Sequence, residues 1–265
     1  AMIISAIVIM FYTAMGGFLA ASTTDFIQSI IMTLAMIIIL VFGTAQAGGI
    51  SAVAENAASL PGYLSMTHAY DVSTASATPY PVLTVASLLA WGLGYFGMPH
   101  ILLRFMAIED DEKVKLSRRV ASIWVVISMA VAIIIGIVGL AMSRAGAIAD
   151  LDGSQSETII VHIAQLLSRY GFFAAILAGI VLSGILASTM STADSQLLAA
   201  SSSISNDLMS KFFHIKASET TRLVVSRISL IIIAIIGVVL AWDPNASVFR
   251  IVSFAWAGFG AAFGP

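Results

Sequence analysis

The sequence predicts an all-α protein that crosses a membrane several times. Of its 265 residues, 59% are hydrophobic and only 10% are charged, whereas a soluble domain carries about 25% charged residues. The apolar residues also gather into long runs, and roughly 20 of them in a helix cross the apolar core of a bilayer. The mean hydropathy of +1.01 therefore reflects the whole chain rather than one anchor.

Composition excludes several classes of function. A formal net charge of −2 offers no basic surface for nucleic acid. The chain contains no cysteine, which excludes disulfide frameworks and thiolate metal sites. No paired nucleophile and base is visible along the chain, so we expect neither an enzyme nor an organic cofactor.

Both ends of the chain lie inside apolar runs. The opening AMIISAIVIMFY lacks the charged start and the cleavage site of a signal peptide. The closing WAGFGAAFGP is equally apolar. We therefore expect a fragment of a longer protein, forming a single partial transmembrane domain over residues 1–265.

Seven segments are predicted to span the membrane, the first and last of them incompletely. They are residues 1–20, 25–46, 80–107, 117–143, 171–203, 221–242 and 246–265. In the connection 47–79, AVAENAAS suggests a short helix, and Pro61 with Gly62 suggests a turn. Residues 156–168 repeat apolar side chains at helical spacing, which predicts an external amphipathic helix lying at the interface.

Lysine and arginine set the expected orientation, because cytoplasmic loops carry an excess of them. Of the 12 basic residues, nine fall on one side of the predicted spans and three on the other. The nine are Arg104, Lys113, Lys115, Arg118, Arg119, Lys211, Lys216, Arg222 and Arg227; the three are Arg144, Arg169 and Arg250. We expect loops 108–119 and 204–222 to be cytoplasmic and loop 47–79 to be external.

A cluster of hydroxyls interrupts one apolar segment at GILASTMSTADSQLL, residues 184–198. Ser188, Ser191 and Thr192 stand at i, i+3 and i+4, so they share one face of a helix. Their oxygens suit a hard cation such as sodium. The alternative is a close helix contact whose hydroxyls bond back to the helix carbonyls. Asp194 follows, and a carboxylate in a span is usually functional unless it lies at the water-facing end.

Glycines and a proline crowd the segment AWGLGYFGMPHILLRF, residues 90–105. Such residues loosen a helix, and unwound backbone in a membrane is tolerated where it lines a cavity. The pattern predicts a broken helix near 90–100, with Trp91 and Tyr95 as walls of an apolar pocket. A simple kink with interfacial aromatic residues is the alternative.

The stretch MGGFLAASTTDF, residues 15–26, predicts a tight turn between the first two spans. Gly16 and Gly17 would break the helix, and Thr23 or Thr24 would cap the next one. Asp25 would then lie in a first turn, where the helix dipole favours an anion. The alternative is a carboxylate beside the exit path of a cation.

Three stretches together resemble the sodium:solute symporter family, and most of all its sodium/proline branch. They are YTAMGGFLAASTTDFIQ, WGLGYFGMPHILLRFMAI and GILASTMSTADSQLLAASSSISNDL, and the likeness extends over essentially the whole chain. The resemblance implies a LeuT-type fold of two inverted repeats. This chain would supply about core helices 4 to 10, with the broken helix as core helix 6.

The resemblance also implies a sodium site. The carbonyl of Ser188 and the hydroxyls of Ser191 and Thr192 would be its ligands on core helix 8, and the remaining ligands would come from core helix 1, outside this chain. Asp25 corresponds to the family's functional aspartate. Together with Asp194 and Ser195, it would form a second sodium site or part of the ion path.

Substrate contacts implied by the resemblance fall on Trp91, Tyr95 and Pro99. Met98 departs from the glutamine that is familiar at this position, which leaves the exact solute open. The expected function is sodium-coupled uptake of a small solute, L-proline first, across a bacterial inner membrane. A carrier for pantothenate or another carboxylate, and the membrane domain of a sensor histidine kinase, remain alternatives.

Overall fold

The computed structural model describes residues 2–242 and 247–263. Within them, four helices are long and apolar enough to cross a membrane, and a pair of helices separated by a short break makes a fifth candidate. The predicted helical membrane fold is therefore confirmed. Residue 1, the connection 243–245, and residues 246, 264 and 265 of the last predicted span lie outside the described residues.

The elements follow one another in a simple order. They are α1 (Met2–Gln46), α2 (Ile50–Ala58), β1 (His68–Asp71), β2 (Ser76–Pro79), α3 (Val82–Gly94), α4 (Pro99–Met106), α5 (Asp111–Arg144), α6 (Ile159–Leu167), α7 (Phe172–Ser202), α8 (Glu219–Leu240) and α9 (Val248–Phe263). Short 3₁₀ turns flank α6 and follow α3, and α7 continues as a π-helix over Ser203–Phe212. The outward faces of the long helices are apolar; in α8, Ile232 and Ile236 are each 52% exposed.

The chain divides into two compact units. The first comprises residues 1–32, 98–114 and 183–251, and the second comprises residues 33–97, 115–182 and 252–265. The second unit has an apolar core of aliphatic side chains from α1, α5, α6 and α7, including Ile39, Val138, Met142, Ile163 and Val181. Gly43 and Gly139 permit this close packing, because a Cβ there would lie 2.9 Å from Val138 and 2.6 Å from Ile159.

The first unit has a polar interior. All six buried polar side chains of the described residues belong to it: Thr13, Gln28, Asp194, Ser201, Ser205 and Ser229. Two of the hydrogen bonds that join its distant segments come from α8. Ser226 donates to Ser201 across 3.3 Å, and Arg227 donates to the carbonyl of Ala14 across 3.1 Å. Polar groups buried inside a span cost free energy and usually serve a function, so they indicate a functional site in this unit.

Helix α1 contains the predicted break, a kink at Gly17 where two helices meet, but its second helix is not capped as predicted. It has 45 residues, and the single non-helical residue within it is Gly17, with φ 57° and ψ −151°. The helix continues past Thr23 and Thr24, whose hydroxyls donate to carbonyls one turn earlier rather than capping a new helix. The prediction of a cap at these threonines, with Asp25 in a first turn, is therefore wrong.

Three further differences concern the connections. The predicted short helix and the turn at Pro61 and Gly62 are present, but a two-stranded antiparallel hairpin, β1 with β2, follows them and was not predicted. The amphipathic helix begins at Ile159, later than expected, and buries Ile163 and Leu167 in the core of its unit. Helix α5 begins at Asp111, so much of the predicted loop 108–119 is helical.

Candidate ion and solute sites

Helix α7 carries the predicted hydroxyl face. The hydroxyls of Ser191 and Thr192 both donate to the carbonyl oxygen of Ser188, across 3.1 and 3.2 Å. Ser188 and Thr192 are exposed and Ser191 is half-buried. Helical spacing therefore brings the three predicted oxygens into one patch at the surface of the first unit.

The ligand atoms that this patch offers to a cation are neutral oxygens. Each hydroxyl uses its hydrogen to bond back to the helix, as the alternative interpretation expects, but its oxygen keeps its acceptor lone pairs. Rotation of the hydroxyl hydrogens away from the carbonyl of Ser188 would turn all three oxygens into ligands. Oxygen ligands of this kind suit a hard cation.

Asp194 lies one helical turn from this patch and is completely buried. The hydroxyl of Tyr12, in the first half of α1, donates to its Oδ2 across 2.8 Å. Ser195 donates to its Oδ1 across 3.2 Å, and also to the carbonyl of Ser191 across 2.9 Å. The sequence left open whether this carboxylate lies within the span or at its water-facing end. The structure places it in the interior of the first unit.

Arg104, on α4, connects this group to Asp25. Its Nη2 lies 2.5 Å from Oδ2 of Asp25 and 2.7 Å from Oγ of Ser195. The side chain of Asp25 is only 11% exposed, and its Oδ1 is buried without a hydrogen-bond partner among the described residues. The structure thus brings together Asp25, Asp194 and Ser195, the three residues suggested for a second ion, around an arginine.

Sequence reasoning missed two members of this group. Tyr12 lies in an apolar run without any local signal. Arg104 was counted among the cytoplasmic basic residues; its side chain is 48% exposed, and its position in an apolar segment, after HILL, is a signal that it also has a partner within the unit. Arg227 likewise bonds within the unit, to the carbonyl of Ala14, and the side chains of both arginines are exposed.

The broken segment positions an aromatic cluster in the second unit. The rings of Trp91 and Trp256 stack at 5.7 Å, and Tyr95 meets Trp256 edge-on at 5.6 Å. The close packing of α9 against the broken segment depends on two glycines. A Cβ at Gly94 would lie 2.6 Å from Trp256, and one at Gly97 would lie 2.6 Å from the carbonyl oxygen of Phe259. Trp256 was not among the predicted site residues.

The break itself follows the sequence closely. Helix α3 ends at Gly94, a 3₁₀ turn covers Tyr95–Gly97, and Met98 is extended. Pro99 then opens α4 at its first turn, where a missing N–H costs nothing. Of the predicted substrate residues, Trp91 and Tyr95 belong to the second unit, and Pro99, which is exposed, belongs to the first.

Comparison with known proteins agrees with these features. The model of the sodium:solute symporter family matches residues 1–265. A sodium/proline symporter of Haemophilus influenzae is 41% identical over 258 residues, which are 96% of this chain and 49% of that protein. The high-affinity proline transporter PutP and the osmoregulated proline transporter OpuE, both of Bacillus subtilis, are 38% and 36% identical over 97% of this chain.

The chain spans about half the length of the curated relatives it matches. No solved structure gives a significant match. The relatives are named as transporters and symporters rather than enzymes, and the apolar helices are those of a multi-pass membrane protein. The family match over the full sequence, with relatives at this identity, shows that the chain belongs to the sodium:solute symporter family.

Proposed function

We propose that this chain is one half of a transporter that couples sodium entry to the uptake of L-proline across a bacterial plasma membrane. The observation that carries the proposal is the oxygen patch of Ser188, Ser191 and Thr192 on α7. The relatives named as sodium/proline symporters support the choice of ion and solute.

In this proposal, sodium binds the Ser188 carbonyl and the two hydroxyls, and its other ligands come from a part of the transporter outside this chain. A cation held between two helices ties them together, so bound sodium favours the conformation in which both are in place. Because binding is reciprocal, a solute that prefers the same conformation raises the affinity for sodium. Release of sodium to the cytoplasm then allows the transporter to reset.

The aromatic cluster is proposed to bind the solute. The Trp91 and Tyr95 rings offer flat apolar faces that suit the pyrrolidine ring of proline. Trp256 packs against both rings, and its buried Nε1 has no hydrogen-bond partner among the described residues. Pro99 contributes by fixing the direction of the chain after the break.

We also propose the predicted topology for the transporter in its membrane. The seven predicted segments cross the bilayer, loops 108–119 and 204–222 face the cytoplasm, and loop 47–79 faces the outside. The excess of basic residues near the two former loops supports this orientation. The 45 residues of α1, about twice the length of one span, support two crossings that meet near Gly17.

The test is uptake of labelled L-proline by proteoliposomes that contain the full-length transporter. An inward sodium gradient should drive proline above its external concentration, and replacing sodium by potassium should abolish this accumulation. Unlabelled proline should compete, whereas excess pantothenate should not.

Two results would reject the proposal in different ways. Competition by pantothenate but not by proline would assign the transporter to carboxylates. Sodium-dependent proline binding without any accumulation would favour a membrane sensor over a carrier. Protein-free liposomes supply the background, and the Thr189→Ala variant supplies a control, because among the described residues that hydroxyl bonds only to the Ile185 carbonyl of its own helix.

A further inference from the structure

Trp256, on α9, contacts both of the aromatic rings that the sequence predicts for the solute. Its ring stacks on Trp91, with centroids 5.7 Å apart and planes inclined by 29°, and meets Tyr95 edge-on at 5.6 Å and 86°. All three residues belong to the second unit. Because Trp91 lies nearly parallel to the indole of Trp256 and Tyr95 nearly perpendicular to it, the two predicted rings are steeply inclined to each other.

The backbone of α9 is fixed against the broken segment. A Cβ at Gly94 would lie 3.0 Å from the carbonyl oxygen of Trp256, and one at Gly97 would lie 2.6 Å from that of Phe259. In the other direction, a Cβ at Gly260 would lie 3.8 Å from the backbone nitrogen of Gly94. Packing this close leaves α9 little room to shift, so the main chain of Trp256 keeps its place beside the break.

Ring contacts hold the side chain of Trp256. Its buried Nε1 has no hydrogen-bond partner among the described residues, and the ring of Phe259 meets the indole edge-on at 6.4 Å. Aromatic pairs favour the offset-stacked and edge-on arrangements seen here. The flat ring of Trp256, rather than its N–H group, therefore sets the angle between Trp91 and Tyr95.

We propose that Trp256 is a positioning residue that determines the ring size of the solute, through the rings of Trp91 and Tyr95. This inference rests on the proposed function, because it concerns the site where that solute binds. Two inclined apolar walls fit a compact saturated ring, and one methylene more or less in an apolar pocket changes binding by about 10–200-fold. The solute class is a cyclic amino acid with a five-membered ring.

The experiment measures how unlabelled L-proline and L-pipecolate, its homologue with a six-membered ring, inhibit uptake of labelled L-proline by proteoliposomes of the full-length transporter. The unaltered protein should favour proline by about tenfold or more. Trp256→Ala should reduce this preference by about tenfold, whereas Trp256→Phe, which keeps a flat ring and removes the N–H, should retain most of it. Trp256→Leu is a second variant without a flat ring, and it should behave like Trp256→Ala if the alanine variant does not fold.

The ratio of the two inhibition constants separates positioning from stability. It does not depend on how much folded protein the liposomes contain, so a loss of stability alone leaves it unchanged. Phe254→Ala is the matched control, because it removes an aromatic ring of the same helix that is 85% exposed, and it should keep the preference for proline.

Three results would overturn the inference. They are an unchanged ratio in the variants without a flat ring, a loss in Phe254→Ala or Trp256→Phe as large as theirs, and no preference for proline in the unaltered protein. Absence of any sodium-driven proline uptake by the unaltered protein would instead reject the proposed function.

Discussion

The hydroxyl of Tyr12 donates a hydrogen bond to the buried carboxylate of Asp194 across 2.8 Å, although the two residues are 182 positions apart in the sequence. This contact joins the first half of α1 to the middle of α7 inside the first unit. Asp194 has no arginine or lysine in direct contact among the described residues, so the tyrosine and Ser195 carry its stabilisation.

Replacing Tyr12 with phenylalanine should therefore destabilise the full-length transporter by about 1–3 kcal/mol, the cost of leaving a buried polar group without its donor. Thermal unfolding in detergent measures this change. Tyr170→Phe is the matched control, because it removes the hydroxyl of an exposed tyrosine, which bonds at 3.0 Å to the neutral amide of Gln46, and it should cost less. Equal losses in the two variants would contradict a special role for Tyr12.

The aromatic cluster predicts different effects for three neighbouring glycines. A methyl group at Gly94 or Gly97 would lie 2.6 Å from Trp256 or from the Phe259 carbonyl, whereas one at Gly92 would meet no atom of the described side chains within 4 Å. Gly94→Ala and Gly97→Ala should each cost about 1–3 kcal/mol through overpacking.

Gly92→Ala is the control, and it should be neutral or stabilising by up to about 1 kcal/mol, since alanine favours the helix. In Gly94→Ala and Gly97→Ala, the midpoint temperature of thermal unfolding should fall and the KM for proline should rise. A loss of stability in Gly92→Ala as large as theirs would show that the packing around Trp256 is not the cause.

Gly17 is the point at which α1 can change direction. Its φ of 57° with ψ of −151° belongs to a region that only glycine adopts without strain. Gly17→Ala should cost about 1–3 kcal/mol from the backbone alone, because no atom of the described residues lies within 4 Å of the added methyl group.

Gly237→Ala supplies the comparison for Gly17, because that glycine also has open space around it but has ordinary helical backbone. It should be neutral or stabilising. Thermal unfolding of both variants measures the difference, and an equally stable Gly17→Ala would argue for a straight α1 in the membrane.

Features that depend on local pattern were predicted well. The break before Pro99 and the common face of Ser188, Ser191 and Thr192 follow from proline chemistry and from helical periodicity, and both are present. The short helix α2 was predicted in the same way. These features involve residues that are close in the sequence, so the pattern itself contains the information.

Features that depend on distant contacts were not predicted. Tyr12 with Asp194, and Arg104 with Asp25, join residues 182 and 79 positions apart, and no local spacing relates them. The count of basic residues gave Arg104 a side of the membrane but no partner, because that count contains no information on which carboxylate the guanidinium meets. Asp25 was expected in a first turn because the sequence could not show that α1 stays helical past Gly17.

The sodium dependence of proline uptake in the Ser191→Ala variant tests the central claim most directly. The Ser191 hydroxyl is a proposed sodium ligand, whereas the Thr189 hydroxyl, on the same helix, donates to the Ile185 carbonyl and is no part of the proposed site. In proteoliposomes of the full-length transporter, Ser191→Ala should raise the sodium concentration for half-maximal uptake by about tenfold, the equivalent of about 1.4 kcal/mol for one lost ligand. Thr189→Ala should leave that concentration unchanged. The same half-maximal concentration in both variants would contradict a sodium site on this face of α7.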